Sequence, residues 1–197
     1  MTLKLSCDPS KIVVNGFGPV LADAYIPPPG VYRYWLTRKW HGALPSCCYV
    51  MLNPSTANAT INDATIYKCM ILARDWGFGS IAVVNLFAWR SRNPSELRRV
   101  ALGDEWTAPG DPIGTFNDRY LRQVAASADS TVCAWGSHPF ATERAAQVTK
   151  MLHNTVRLSN GERILHCLGT NNDGSPKHPL YLRYGTPRVP FTGKAAR

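Results

Sequence analysis

No run in this 197-residue chain approaches the roughly 20 apolar residues of a membrane-spanning helix, so no such segment is expected. The N-terminus, MTLKLSCDPSKIVVNGFG, has no signal-peptide core, because Asp8, Pro9, Ser10 and Lys11 interrupt its apolar residues; the expected location is the cytoplasm. There is no G-x-x-x-x-G-K-[ST] phosphate loop, no G-x-G-x-x-G dinucleotide fingerprint and no G-x-S-x-G elbow, which removes the enzymes built on those loops. None of the six cysteines forms a C-x-x-C pair, and the His and Cys residues lack zinc spacing. No metal and no other cofactor is therefore expected. Carboxylates are few, 13 against 22 lysines and arginines, and they are scattered rather than clustered as a two-metal nuclease requires.

That imbalance leaves a net charge of +9, which attracts polyanions. Nucleic acid is the first candidate partner and nucleotides the second; a merely solvated basic surface explains the charge equally well. The hydrophobic fraction of 45% and charged fraction of 18% are those of an ordinary globular protein, and the length suits one domain with a core that needs no disulfides. Cys47, Cys48, Cys133 and Cys167 lie in apolar runs and read as core thiols in a reducing compartment.

Residues 1–30 carry little pattern and end in Pro27-Pro28-Pro29-Gly30, so they are expected to form an irregular N-terminal arm with one short strand, Lys11 to Val14, ahead of a single α/β domain over 31–197. Tyr32 to Thr37 reads as an edge strand. Short apolar runs at Cys47–Leu52, Ile81–Leu86, Thr131–Trp135 and Ile164–Leu168 read as buried strands. Helical spacing is seen over Ala64–Trp76, with Ile66, Cys69, Met70 and Ala73 on one face, and over Pro94–Val100, Asp118–Ala128 and Ala141–His153. This alternation predicts a three-layer α/β/α sandwich around a four-stranded, mostly parallel sheet with one added N-terminal edge strand.

In open parallel sheets ligands bind beyond the carboxyl ends of the strands. After the first core strand come Asn53-Pro54-Ser55-Thr56; after the second, Asn85-Leu86-Phe87-Ala88-Trp89-Arg90; after the third, Trp135-Gly136-Ser137-His138-Pro139; after the fourth, Gly169 and a turn-rich stretch leading to Lys177-His178-Pro179. Taken singly, each has a structural explanation: Asn-Pro initiates turns, Asn85 can cap a strand end, Phe87, Trp89 and Trp135 can be core, and His178 can be an ordinary loop residue. Their convergence on one sheet edge is what predicts a site.

The segments YRYWLTRKW, MLNPSTA, DATI, WGFGSIAVVNLFAWRSRNP, AWG and CLGTNNDGSPKHPLYL, in that order over residues 30–183, resemble the bacterial and phage family of proteins known as domain of unknown function 1643. Ala64 stands where that family usually has proline after the aspartate corresponding to Asp63. The motif order is more distantly similar to the uracil-DNA glycosylase superfamily, above all its mismatch-specific branch. That resemblance implies the glycosylase-like fold and implies roles: Asn53-Pro54 to position the attacking water, Asn85 to read the base edge, Trp135-Gly136 to follow a later strand, and His178-Pro179 to contact the base oxygen. The sequence departs from the superfamily in lacking its glycines around the first motif, in Leu180 after His-Pro, and in Lys177 beside the histidine.

Cleaving an N-glycosidic bond requires a donor to the departing base and a group that positions water. Asn53 and His178 are the expected catalytic pair. Ser55, Thr56, Asp63, Asn85, Phe87, Arg90, Trp135 and Lys177 are the expected substrate contacts, with Phe87 or Trp89 stacking on the base. Arg38, Lys39, Arg90, Arg92, Arg98 and Arg99 are candidates for phosphate contacts. The expected function is a glycosidase-like enzyme acting on a base, modified or damaged ones included, in DNA or a nucleotide. Two alternatives stand beside it: another transformation of a modified nucleotide in the same pocket, and a non-catalytic module that recognises a base or nucleotide. Asp63 decides weight between them, since it can either cap the following helix or serve as a base in the crevice.

Overall fold

The computed structural model of the chain describes residues 10–102, 111–160 and 164–193. Among the described residues eight strands form one mixed sheet: β1 (Ser10–Val14), β2 (Gly18–Tyr25), β3 (Trp35–Lys39), β4 (Ser46–Met51), β5 (Ser80–Asn85), β6 (Ser130–Cys133), β7 (Leu165–Cys167) and β8 (Val189–Pro190), in the order β1-β2-β3-β5-β4-β6-β7-β8. Pairing is parallel across β5-β4-β6-β7 and antiparallel at the other four contacts, so antiparallel pairings predominate over the whole sheet. The helices are α1 (Ala64–Asp75), α2 (Pro94–Ala101), α3 (Asn117–Ser127) and α4 (Thr142–Asn160). Among the described residues no helix is long and apolar enough to cross a membrane.

The strand sequences explain the layers. In β4, Cys47, Tyr49 and Met51 join the cluster packed under α1, while Cys48, Val50 and the following Leu52 join the cluster shared with α2, α3 and α4. Successive side chains point to opposite faces of a strand, and both faces here are covered, so the strand is apolar without alternation. Burial raises the Cys48 thiol to about 12 and the Cys47 and Cys133 thiols as well, which makes them inert packing residues. Helix α1 begins where Asp63 Oδ1 accepts the Ile66 N–H at 2.8 Å, and it buries Ile66, Cys69, Met70 and Ala73 as their spacing predicts. Helix α2 begins at Asn93, whose side chain accepts from the Ser95 N–H, with Pro94 at its first position.

Four expectations need correction. The segment read as an irregular arm with one strand forms a hairpin of two, β1 and β2, which extends the sheet; Val20, Ala22 and Ala24 are buried and only their pairing reveals the strand. The aromatic strand before residue 40 is not an edge: β3 lies between β2 and β5, paired antiparallel to both. Among the described residues the sheet has eight strands rather than four and an edge, and β8 is a two-residue strand that carries no sequence pattern. Helix α4 continues past the expected end at His153 to Asn160. Cys7 lies outside the described residues.

Beyond the strand ends the β4–β5 pairing continues, with Leu86 N–H donating to Met51 O at 2.8 Å and Phe87 N–H to Leu52 O at 3.0 Å. The end of β5 is gripped from the helical layer. Buried Asn117, at the start of α3, donates Nδ2 to Asn85 O and to Leu86 O, each at 3.0 Å, and Arg144 Nε of α4 donates to Leu86 O at 2.9 Å. Arg144 is held in turn by an ion pair with Asp118. Asn117→Ala removes both amide donations and leaves a buried hole. It is expected to lower the unfolding free energy by about 1–3 kcal/mol, measured by urea denaturation, because buried acceptors that lose a partner pay their desolvation cost.

Candidate active site

A cavity of about 620 Å³ opens at the carboxyl ends of the parallel strands. That size is usual for a small-molecule site. Its wall is built from the residues just past β4, β5 and β6, from the start of α1, and from the 171–182 segment that follows β7.

Asn53 leaves β4 with its amide already engaged: Nδ2 donates to Pro54 O at 3.0 Å, Ser91 O at 3.0 Å and Trp89 O at 3.4 Å. These bonds lace the loop after β4 to the loop after β5, as does Ser91 N–H to Pro54 O at 2.9 Å. With Nδ2 committed, Oδ1 is the amide atom Asn53 has to offer a ligand. Asn85, at the end of β5, is the opposite case. It is 1% exposed and lines the cavity, yet neither Nδ2 nor Oδ1 has a hydrogen-bond partner. A buried amide with both functions unsatisfied is rare and costly.

His178 sits at the cavity on a segment pinned to the strands by Gly136 N–H donating to Pro176 O and Lys177 N–H to Gly169 O, both at 2.9 Å. Its Nδ1 accepts the Leu180 N–H at 3.3 Å, which places the proton of the neutral ring on Nε2. Burial first, and then the nearby His138, lower its pKa to about 4, against a smaller opposing pull from Asp63. The ring is therefore neutral at pH 7 and presents an Nε2–H donor. Gly136 has a φ of +81°, and a Cβ there would stand 3.4 Å from His138 Nε2 and 3.5 Å from His178 Cβ; the turn after β6 and the close approach of the two histidine loops both favour glycine.

Asp63 caps α1 through its Oδ1 and also lines the cavity. Ser55 and Lys177 line it too. Four expected contacts do not. Phe87 is buried in the helical-side core, stacked on Phe140 with centroids 6.2 Å apart. Trp135 is core as well, edge-on to Phe191 at 5.7 Å, and walls a neighbouring cavity of about 300 Å³. Arg90 is turned to the 27–30 turn, Nη1 donating to Gly30 O at 3.1 Å. Thr56 is not part of the lining. Side chains two apart on an extended segment share a face, so with Asn85 at the cavity and Phe87 in the core the chain must turn between them; composition did not reveal that turn. Trp89, the other stacking candidate, is likewise outside the lining and packs edge-on to Tyr32 at 5.8 Å. Of the phosphate candidates, Arg38 is wholly buried and bonded to the 58–62 loop, Arg98 and Arg99 are exposed on α2, and Arg92 reaches the cavity.

The cavity also gathers residues outside the expected set: Arg33, Ser137, His138 and Asn171 in its wall, and Tyr181, 87% exposed, at its rim. Ser137 Oγ donates to Asp173, and with the two Ser175 contacts this bond holds the Asp173 carboxyl down to about 2. His138 and Ser137 belong to the Trp-Gly-Ser-His-Pro loop and were legible as strand-following residues. Arg33 was hidden inside an aromatic run; its backbone N–H bonds Ala88 O at 3.0 Å, a tertiary contact without a sequence signal.

No curated protein matches the chain in sequence. Among solved structures, the leucine-bound hetero-hexameric glutamate dehydrogenase from Thermus thermophilus aligns with 14% identity and a TM-score of 0.32, covering 71% of this chain and 30% of that one, and so weak a likeness supports no conclusion. The chain thus spans 30% of the length of that dehydrogenase chain. The family model described as protein of unknown function (DUF1643) matches residues 33–180, a span that takes in Arg33, Asn53, Asn85, Gly136 and His178. With most of its length matched, the chain belongs to the DUF1643 family.

Proposed function

We propose that the chain is a glycosidase-like enzyme that hydrolyses the N-glycosidic bond of a base, modified or damaged ones included, in DNA or a nucleotide. The observation that carries this reading is Asn85: a buried amide lining the cavity, with donor and acceptor both unpartnered, is complementary to the edge of a base, which offers an acceptor beside a donor. The order of the loops supports it further. Asn53-Pro54 follows β4, Asn85 ends β5, Trp135-Gly136 follows β6 and His178-Pro179 lies beyond β7, on parallel neighbours, which is the motif order of the uracil-DNA glycosylase superfamily that the sequence resembles.

In this reading the C1′–N bond breaks and water supplies the new C1′–O bond and a proton to the departing base. Asn53 Oδ1 accepts a hydrogen bond from the attacking water and orients it; a weak acceptor suffices if the sugar has gained oxocarbenium character. Neutral His178 donates Nε2–H to a base oxygen as negative charge develops there, and Lys177 adds positive charge to the same end of the cavity. Tyr181 at the rim offers a face for stacking. A base within a duplex must first be flipped out at a cost of a few kcal/mol, which favours damaged or mispaired ones. The second reading, a non-catalytic recognition module, draws on Asp63: among the described residues it is the one carboxylate in the lining, and it has an oxygen committed to its helix cap, so the site is poor in free general bases.

DNA carrying uracil, mismatched thymine or hypermodified pyrimidines, and free nucleotides, would be incubated with the protein and released base followed by mass spectrometry. Release is expected, falling about 10²–10³-fold in His178→Ala, the scale of losing one preorganised donor to developing charge, and falling likewise in Asn53→Ala. Absence of release from every substrate, with binding retained and weakened by Asn85→Leu, would favour the recognition module.

The depressed His178 pKa gives a second expectation. An unfolded histidine takes up its proton near 6.5 and the folded one near 4, so between those values the unfolded state binds more protons. The contribution to stability is whole above about 6.5 and declines as pH falls to about 4, at a slope of at most about 1.4 kcal/mol per pH unit. His178→Asn is expected to flatten that decline in denaturant melts, and a His178 NMR titration is expected to have its midpoint near 4; a midpoint near 6.5 would contradict the lowering by burial and the loss of stability that follows from it.

A further inference from the structure

We propose that Arg33 forms an anion subsite within this cavity and that the anion it takes is the terminal phosphate of a nucleoside monophosphate. The proposal deepens the reading above, resting on its nucleotide half and choosing the small molecule over the polymer.

The comparison between buried arginines carries it. Arg38 is also buried, but all of its guanidinium nitrogens are used: Nε donates to Asn62 Oδ1 at 2.7 Å, Nη1 to Thr37 O at 2.7 Å, and Nη2 to Asn58 O at 2.5 Å and Ile61 O at 3.2 Å. Arg144 bonds Leu86 O and pairs with Asp118. These two are structural cations whose burial is compensated. Arg33 is 2% exposed and makes a single side-chain hydrogen bond among the described residues, Nη1 to Ala57 O at 2.9 Å, while its buried Nε has no partner. No carboxylate lies within ion-pair distance of it among the described residues. Desolvation lowers its pKa to about 10, and Arg90 and Arg38 add to the lowering against the pull of Asp63, so it remains charged at neutral pH. A buried, unpaired guanidinium in a cavity wall is an expensive arrangement unless an anion completes it.

The rest of the lining agrees in sign. Arg92 and Lys177 stand in the same cavity, against one carboxylate among the described residues, Asp63. The depth of Arg33 selects the kind of anion. A backbone phosphodiester continues into chain on both sides and stays at a rim, whereas a terminal phosphate enters end-on and gives several oxygens to a fork of N–H donors. Asn85 reading the base and Arg33 holding the phosphate would then bind the two ends of one small molecule.

Calorimetry with four probes tests this: inorganic phosphate, the common nucleoside 5′-monophosphates, the corresponding nucleosides, and a short single-stranded DNA without terminal phosphates. At least one monophosphate is expected to bind tenfold or more tighter than its nucleoside, with that advantage abolished in Arg33→Gln and reduced in Arg33→Lys. Should the variants fold poorly, the wild-type Arg33 Nε–H resonance is expected to shift on addition of monophosphate or inorganic phosphate. Inorganic phosphate binding that depends on Arg33, without any nucleoside binding, would uphold the anion subsite and remove the base-recognition reading. The proposal is overturned by a monophosphate advantage that survives Arg33→Gln, by nucleosides and monophosphates binding alike, by DNA without terminal phosphates binding as tightly as the monophosphate, or by an Arg33 resonance that does not move.

Discussion

Parallel pairing of β4 with β5 on one side and β6 on the other sends the chain out of all three strands at the same sheet edge. Any parallel pair shares its direction, so residues just past the strand ends become neighbours however far apart they are in sequence. Asn53, Asn85 and Gly136 meet in this way, and β7, parallel to β6, returns the chain to bring Lys177 and His178 to the same place. The backbone bonds Leu86 N–H to Met51 O and Phe87 N–H to Leu52 O carry this register past the strands and into the loops.

The end of β5 beside the cavity is held from the helical layer. Asn117 and Arg144 hold the carbonyls at the end of β5, so the backbone of Asn85 is fixed from beneath while its side chain is left without partners. Asn53 shows the converse arrangement, its amide nitrogen spent on three carbonyls to tie two loops together. Two asparagines at equivalent strand ends thus differ in their bonding: the Asn53 Nδ2 is tied to three carbonyls, and the Asn85 amide is left unpartnered at the cavity. A preorganised polar group in a desolvated place costs folding free energy and offers a ligand interactions that water does not already satisfy.

Electrostatics in the cavity follow from burial more than from the chain's net charge. His178 and His138 are close and partly buried, and each is held neutral, which suits hydrogen-bond donation rather than full proton transfer. Arg33 stays cationic because a guanidinium gives up its proton so reluctantly that desolvation lowers it only to about 10. The excess of lysine and arginine that first pointed to anions is in part spent elsewhere: Arg38 and Arg144 brace loops and helices, and Arg98 and Arg99 meet solvent.

From sequence alone the four parallel strands, the four helices and the strand-following loops were legible, because buried strands are short apolar runs, amphipathic helices repeat at helical spacing, and Asn-Pro or Gly marks where each strand stops. Asn53, Ser55, Asn85, Lys177 and His178 could be assigned to one cavity on that basis. Strand β1 was legible, but its hairpin partner β2, the internal place of β3 and the two-residue β8 were not, since a strand's neighbours are chosen by pairing and GPVLADAY has no composition that demands a strand. The fates of Phe87, Arg90 and Trp135 were decided by the tertiary structure alone, because the direction of a side chain past a strand end depends on how the loop turns. So was the recruitment of Arg33 from an aromatic run: sequence sets which chemistries a chain carries and where its strands stop, whereas which of those groups end up desolvated and unpartnered in one cavity is settled only when the layers pack.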